Sequence, residues 1–284
     1  MHDYWEIDKK VEKIIWGVLK YMKKVEKGYI KSEILKAYTF AKKAHEWQMR
    51  LSWQPYIIHP VEATAILLDM KPDISSIQAC LLHDVIEDTP VTYEDIKKEF
   101  WSEVASLCAG MEKLWKVKYV WEDRTVGSLR KMFVAMAEDL RVIFIKLADR
   151  LHNMQTLKYH PKPEKRERIA EETLNIYSPI ADRLGLYWLK HALDEECFKI
   201  LHPKEHDNIV TQLKGFSASQ SAFKKNAKRE IDALLKKSGI KYKIDFRVKA
   251  MYSIFLKMQR KNYDHISDIY DIYGIRIIVT DVAE

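Results

Sequence analysis

The residues with the clearest capacity for chemistry lie in one short run, Leu81-Leu82-His83-Asp84-Val85-Ile86-Glu87-Asp88. An adjacent His and Asp can reach one ion from a helix end. Read as helix, His83 and Glu87 fall four residues apart on one face, as do Asp84 and Asp88, so Glu87 and Asp88 stand one turn on, close enough to orient a water. His59 in Tyr-Ile-Ile-His-Pro lies upstream and Asp149 in Lys-Leu-Ala-Asp-Arg lies downstream. His59, His83, Asp84 and Asp149 offer two imidazoles and two carboxylates, a set suited to a first-row divalent ion such as Mn²⁺. An ion held in this way lowers the pKa of bound water and clamps phosphate oxygens, while spare carboxylates supply general acid or base. A lone His-Asp pair occurs by chance. This one directly follows Ala79-Cys80-Leu81-Leu82, an apolar run expected in the core, where unpaired ionisable groups are costly.

The elements that must position these residues read as mostly helical. Apolar residues recur at three- and four-residue spacing through residues 1–200, as in Ile30, Ile34, Leu35, Tyr38 and Ala41. Stops are expected near Pro72, Pro90, Pro161 and Pro203, and Thr92 with Asp95 forms a capping-box pattern opening a helix over about 95–109. A long helix is expected over 205–238, ending at Ser238-Gly239. The pattern then changes: Ile240–Phe246 alternates as a strand, a helix follows over 250–261, and Ile275–Val279 reads as a second strand. The expected architecture is an all-helical domain over 1–200, a connecting helical region over 201–238, and over 239–284 the start of an α/β domain, because two strands do not make a stable sheet alone.

His59, the His83–Asp88 run and the Leu-Ala-Asp-Arg-Leu-His-Asn-Met-Gln-Thr-Leu segment around Asp149 together resemble the HD-type hydrolase domain of the Rel/Spo (RelA/SpoT homologue) alarmone enzymes. The resemblance runs from about Lys36 to the C-terminus. It implies an all-helical metal-dependent phosphohydrolase fold and Mn²⁺-dependent removal of the 3′-pyrophosphate of (p)ppGpp, the guanosine tetra- and pentaphosphates, in the stringent response. On that pattern His59, His83, Asp84 and Asp149 match metal ligands, and Glu87 and Asp88 match the acidic pair that activates water. Arg50 and Ser52 match the loop gripping the guanosine, and Asn153 and Thr156 match nucleotide contacts. Asp149, Asn153 and Thr156 also share one helix face by spacing alone. Lys146, Arg150, Lys158 and Lys165 could meet phosphates, or each could serve as a structural or solvated cation.

The resemblance extends to the opening of the alarmone synthetase domain. There Arg247, Lys249, Ser253 and Lys257 match ATP-phosphate contacts and Asp271 matches a Mg²⁺ carboxylate. Mg²⁺ belongs to a complete synthetase domain, and no synthesis is expected from half a phosphoryl-transfer site. Ribosome association is expected only of a full-length protein. The sequence departs from the family at three loop positions: Trp47 and Trp53 stand where glycines are usual, and Leu51 where a lysine is. A side chain at Trp53 resists a positive φ if the glycine adopted one. Glu112 is a further departure.

Composition narrows the alternatives. The 284 residues carry net charge +7, but residues 1–198 hold 31 basic and 31 acidic residues, whereas 199–261 hold 16 and 5. The excess is therefore local, and leaves open a module binding nucleotide or RNA without catalysis. A related hydrolase acting on another nucleotide is the other alternative. Three scattered cysteines and the lack of a membrane-length apolar run or signal-type N-terminus point to the cytoplasm and no membrane partner.

Overall fold

The structure is a computed structural model that describes residues 4–118, 139–215, 217–237 and 241–279, with backbone only at 112–118 and 217–223. It divides into two compact units, Met1–Arg166 and Glu167–Glu284.

The regular elements of the first unit are helices among its described residues. It comprises α1 (Trp5–Tyr21), α2 (Lys27–Ala44), α3 (Ile58–Leu67), α4 (Ile74–Leu82), α5 (Val85–Asp88), α6 (Tyr93–Lys118) and α7 (Leu140–Thr156), and α8 (Pro163–Glu172) begins at its end. Ile30, Ile34, Ala37, Tyr38 and Ala41 form the buried stripe of α2, as their spacing predicts. α4 is buried almost all round, because α2, α3, α6 and α7 surround it. Ile77, Leu81 and Leu82 on α4 meet Val61, Ile34 and Ile145 in one core. Each such aliphatic side chain contributes roughly 1.5–3 kcal/mol by leaving water. This packing holds α3, α4 and α7 side by side, and those helices carry His59, His83 and Asp149.

Caps set the helix starts. The Asp73 carboxylate accepts from Ser76 N at 2.7 Å to open α4, and Asp139 accepts from Arg141 N at 2.9 Å to open α7. The Thr92–Asp95 capping box forms in both directions: Thr92 Oγ1 accepts from Asp95 N, and Asp95 Oδ2 accepts from Thr92 N. The helix it opens extends to Lys118 but breaks at Phe100 and Trp101, where φ is −129° and 74°. Phe100 is buried and Trp101 is exposed, so the kink turns one aromatic ring inward and leaves the next in water.

The second unit holds α9 (Ser178–Arg183), α10 (Tyr187–Leu201), α11 (Pro203–Gly215), α12 (Ser217–Lys237), α13 (Met251–Lys261) and an antiparallel pair, β1 (Tyr242–Val248) and β2 (Tyr273–Val279). Tyr242 pairs with Val279 and Ile244 with Ile277. Of the helix expected over 205–238, the described residues show α11 as far as Gly215 and α12 from Ser217, and Phe216 between them lies outside the described residues. The expected strand at Ile240–Phe246 lies two residues later, over Tyr242–Val248. Ser238, Gly239 and Ile240 lie outside the described residues, as does the side chain of Glu112. Phe198, Ile209, Ile254 and Phe255 form a small core beneath.

Candidate metal centre

The centre is assembled where three helices meet. His59 is the second residue of α3, Asp149 lies mid-way along α7, and His83 and Asp84 form the link between α4 and α5. The run expected as one helix is interrupted here: Asp84 has φ −93° and ψ −6°, a sparsely populated region in which site residues are often found. Its carboxylate caps no backbone N–H of α5 and so is free to face the centre. His59 Nε2 stands 3.4 Å from Asp84 Oδ2 and 3.1 Å from Asp149 Oδ1; His83 Nε2 stands 3.1 Å from Asp84 Oδ1 and 3.6 Å from Asp149 Oδ1. Ligand atoms of His59, His83 and Asp149 all lie within 4.8 Å of one another, and all three residues are buried.

The hydrogen bonds behind the imidazoles fix which nitrogen faces inward. His83 Nδ1 is 2.8 Å from the Cys80 carbonyl, which only an N–H can satisfy, so Nε2 is the nitrogen left to face the centre. That buried Nε2 has no hydrogen-bond partner. A buried, unpartnered imidazole nitrogen flanked by two carboxylates suits a divalent metal ion. His59 Nδ1 meets His152 Nδ1 at 2.6 Å. Burial, with the His59 and Arg50 charges, pushes His152 down to about 3, so it is neutral and accepts from His59. His152 is thus the outer support of a ligand rather than a ligand.

Electrostatics match this reading. Burial alone would lower the His83 pKa, but Asp84 and Asp149 outweigh it and hold His83 well above the ordinary histidine value. Burial likewise opposes charge on Asp84 and Asp149, yet His83 beside the first and Lys146 beside the second keep both carboxylates well below the usual range. Without metal, His83 therefore carries a proton that an incoming ion must displace. Divalent-metal affinity is expected to rise roughly tenfold per pH unit below the raised His83 value, with about one proton released per ion bound. Calorimetric titration in two buffers of different ionisation enthalpy reads that proton count. A pH-independent affinity would contradict the assignment.

Around the centre, Glu87 and Asp88 end α5 and are exposed. Burial of its carboxyl group, then the Asp84 and Asp88 charges, raise Glu87 to about 7, so it can take or give a proton near neutrality. Arg50 donates to Asn153 Oδ1 at 3.2 Å and Thr156 Oγ1 at 3.0 Å, so three of the expected nucleotide contacts meet. Asn153 also donates to Asp149 Oδ1. Ser52 lies at the loop tip with its hydroxyl on Gln54, and Lys165 is exposed on α8. Lys146, expected near phosphate, is buried with its ammonium 2.7 Å from Asp149 Oδ2.

The loop over 45–56 is a tight hairpin: Arg50 N donates to Gln54 O, and Trp53 N to Arg50 O. Trp53 has φ 62° and Trp47 φ 72°. Both therefore occupy the left-handed region where glycine is favoured, and their rings are 85% and 89% exposed. Tyr56 closes the loop. Its ring stacks on His45 at 4.6 Å, and its hydroxyl lies 2.8 Å from Asp84 Oδ2 and 2.7 Å from Asp88 Oδ2. Sequence reasoning passed over Tyr56, because a lone tyrosine carries no spacing signal.

In the second unit Lys249 and Lys257 both bind Asp271, at 3.0 and 2.6 Å, and with Ser253 they line an open cleft. The two ammonium groups hold Asp271 down at about 2. Arg247 lies on β1 and is not among the residues lining that cleft.

Comparison with known proteins agrees with this geometry. A family model described as "HD domain" matches residues 37–187, and one described as "Region found in RelA / SpoT proteins" matches 246–284. A bifunctional (p)ppGpp synthase/hydrolase SpoT of Escherichia coli is 44% identical over 246 residues, 86% of this chain and 35% of that protein. A guanosine-3′,5′-bis(diphosphate) 3′-pyrophosphohydrolase of Aquifex aeolicus is 42% identical over 253 residues, 89% and 36%. A GTP pyrophosphokinase of Myxococcus xanthus is 41% identical over 249 residues, 86% and 33%. The chain thus spans about a third of the length of the curated relatives it matches. No helix among the described residues is long and apolar enough to cross a membrane. The chain belongs to the HD-domain family and carries the RelA/SpoT region in its second unit.

Proposed function

We propose that this chain hydrolyses the 3′-pyrophosphate of (p)ppGpp, releasing GDP or GTP and pyrophosphate. The observation that carries the reading is the convergence of His59, His83, Asp84 and Asp149 on one buried point, with Glu87 and Asp88 at its rim. These four side chains would hold a divalent ion, assigned as Mn²⁺ from the mixed imidazole–carboxylate donors. Such an ion supplies an acidified water and a clamp for phosphate oxygens. Glu87 accepts the proton of the attacking water, and Asp88 orients it. Arg50 leaves Asn153 and Thr156 to lay its planar guanidinium against guanine, a contact lysine could not copy. Asn153 and Thr156 then face the nucleotide, and Ser52 and Lys165 add polar contacts from the loop and α8. Lys249, Ser253, Lys257 and Asp271, with Arg247, match the ATP and Mg²⁺ side of a synthetase site, and no synthesis is assigned to this chain. The setting is cytoplasmic, and ribosome association is assigned only to a longer protein.

The test is pyrophosphate release from ppGpp with Mn²⁺, lost on chelation and in Asp84→Ala. No turnover in the metal-loaded protein would overturn the reading. Hydrolysis of another nucleotide is a second reading, favoured by the exposed, left-handed Trp47 and Trp53 beside Arg50. A substrate panel in which ppGpp has the highest kcat/KM would eliminate it.

A further inference from the structure

Tyr56 touches more of the centre than any feature of its sequence context announces. Its hydroxyl reaches one carboxylate oxygen of Asp84 and one of Asp88, side chains four residues apart on either end of α5. Both distances, 2.8 and 2.7 Å, lie within O–H···O range, so the one phenol proton can be donated to either carboxylate. The same Asp84 Oδ2 faces His59 Nε2 at 3.4 Å. The ring is fixed on three sides. His45 stacks on it with an interplanar angle of 24°, His59 meets it edge-on at 6.1 Å, and the Arg50 guanidinium lies 5.6 Å from its centroid.

The backbone around Tyr56 is fixed as well. Tyr56 N donates to Gln48 O, while Gln48 Nε2 donates to the Asp88 carbonyl at 2.8 Å and Gln48 Oε1 accepts from His45 Nδ1 at 2.7 Å. The loop that carries Arg50 is thereby tied to the end of α5 through main chain and side chain together. A phenol has one proton to donate and two carboxylates within reach. The proton therefore serves one carboxylate at a time or is shared between the two, and the fixed hydroxyl limits where each carboxylate can turn.

We infer that Tyr56 is a positioning residue: its hydroxyl bridges Asp84, an assigned metal ligand, to Asp88, the assigned water-orienting carboxylate, and so keeps the ion and the attacking water in register. The inference rests on the metal-hydrolase reading above. No contact with the reacting phosphorus or the water is assigned to Tyr56. It acts by holding one carboxylate toward the ion and the other toward the water's side of the centre. Outer partners of metal ligands change metal affinity or activity by about 10–100-fold when removed.

The test is Tyr56→Phe, which keeps the ring, its stacking on His45 and its contact with Arg50 and deletes only the bridging oxygen. Two quantities are read. Mn²⁺ affinity by calorimetric titration, without nucleotide, is expected to fall about tenfold or more. With ppGpp and saturating Mn²⁺, kcat is expected to fall about tenfold while KM stays within twofold. A melting curve at low Mn²⁺ checks that the variant folds. Should Phe prove unstable, Asp88→Asn in the Tyr56 background reports the same bridge, with Mn²⁺ affinity falling although Asp88 is not a ligand. Unchanged Mn²⁺ affinity overturns the inference, because the Asp84 half of the bridge is then idle. A change confined to KM overturns it too. Wild-type protein that binds Mn²⁺ without cleaving ppGpp would sink the proposed reaction, while the affinity arm would still decide the role of Tyr56.

Discussion

Asp149→Asn is expected to abolish tight Mn²⁺ binding, to reduce ppGpp hydrolysis by more than about a hundredfold, and to destabilise the first unit by about 3–5 kcal/mol. The reason is that Asp149 uses both oxygens. Oδ1 lies 3.1 Å from His59 Nε2 and accepts from Asn153, while Oδ2 lies 2.7 Å from Lys146 Nζ. An asparagine keeps one acceptor and turns the other into a donor. Turned one way, its NH₂ faces the imidazole nitrogens and the ion is lost. Turned the other way, it faces Lys146, a buried ammonium that loses the carboxylate 2.7 Å away. Removing one partner of a buried pair costs more than the pair was worth, because the remaining charge stays out of water. The double variant Asp149→Asn/Lys146→Met separates the two effects. It is expected to recover most of the stability and none of the metal binding, measured by thermal melts and metal titration. Recovery of binding in the double variant would mean that Asp149 is not a ligand.

Trp53→Gly is expected to raise stability by about 1 kcal/mol, and Trp47→Gly to do the same. An L-residue in the left-handed region costs roughly 1–2 kcal/mol. Glycine removes that cost and gives back about 0.4–1 kcal/mol through a freer unfolded chain. Packing does not offset the change, because both rings lie almost wholly in water. For a unit of this size the gain corresponds to roughly 2–4 °C in Tm per variant. A fall in Tm for Trp53→Gly would show that the exposed ring makes a stabilising contact. Most substitutions destabilise, so a rise at two aromatic positions is a sharp outcome.

Much of the centre was legible because metal chemistry constrains residue type. Two histidines and two carboxylates in separated motifs point to one ion, and the structure brings them together. What spacing could not supply was the path of the chain between motifs. The helical reading put His83 and Glu87 on one continuous face, whereas the backbone breaks at Asp84 and starts afresh as α5. Lys146 was grouped with phosphate-binding cations, although its three-residue spacing from Asp149 on one helix already offered the pairing seen in the structure. Tyr56 was invisible because its partners lie 28 and 32 residues away and meet it only through the loop. The kink at Trp101 is a tertiary outcome that periodicity does not encode. The Thr92–Asp95 cap and the α2 stripe depend on residues a turn or two apart, and these local patterns survived folding unchanged.

The ligands assigned to the centre come from three places far apart in the chain, residues 59, 83–84 and 149. An ion shared among them is topologically a cross-link. It closes two long loops that the unfolded chain would otherwise leave open, as a disulfide does, and the entropy removed grows with the logarithm of loop length. Unlike a disulfide, this tie is governed by mass action, so the stability of the fold varies with free metal concentration. A catalytic ion that also fastens the scaffold makes metal supply a control on how long the protein persists, as well as on how fast it works.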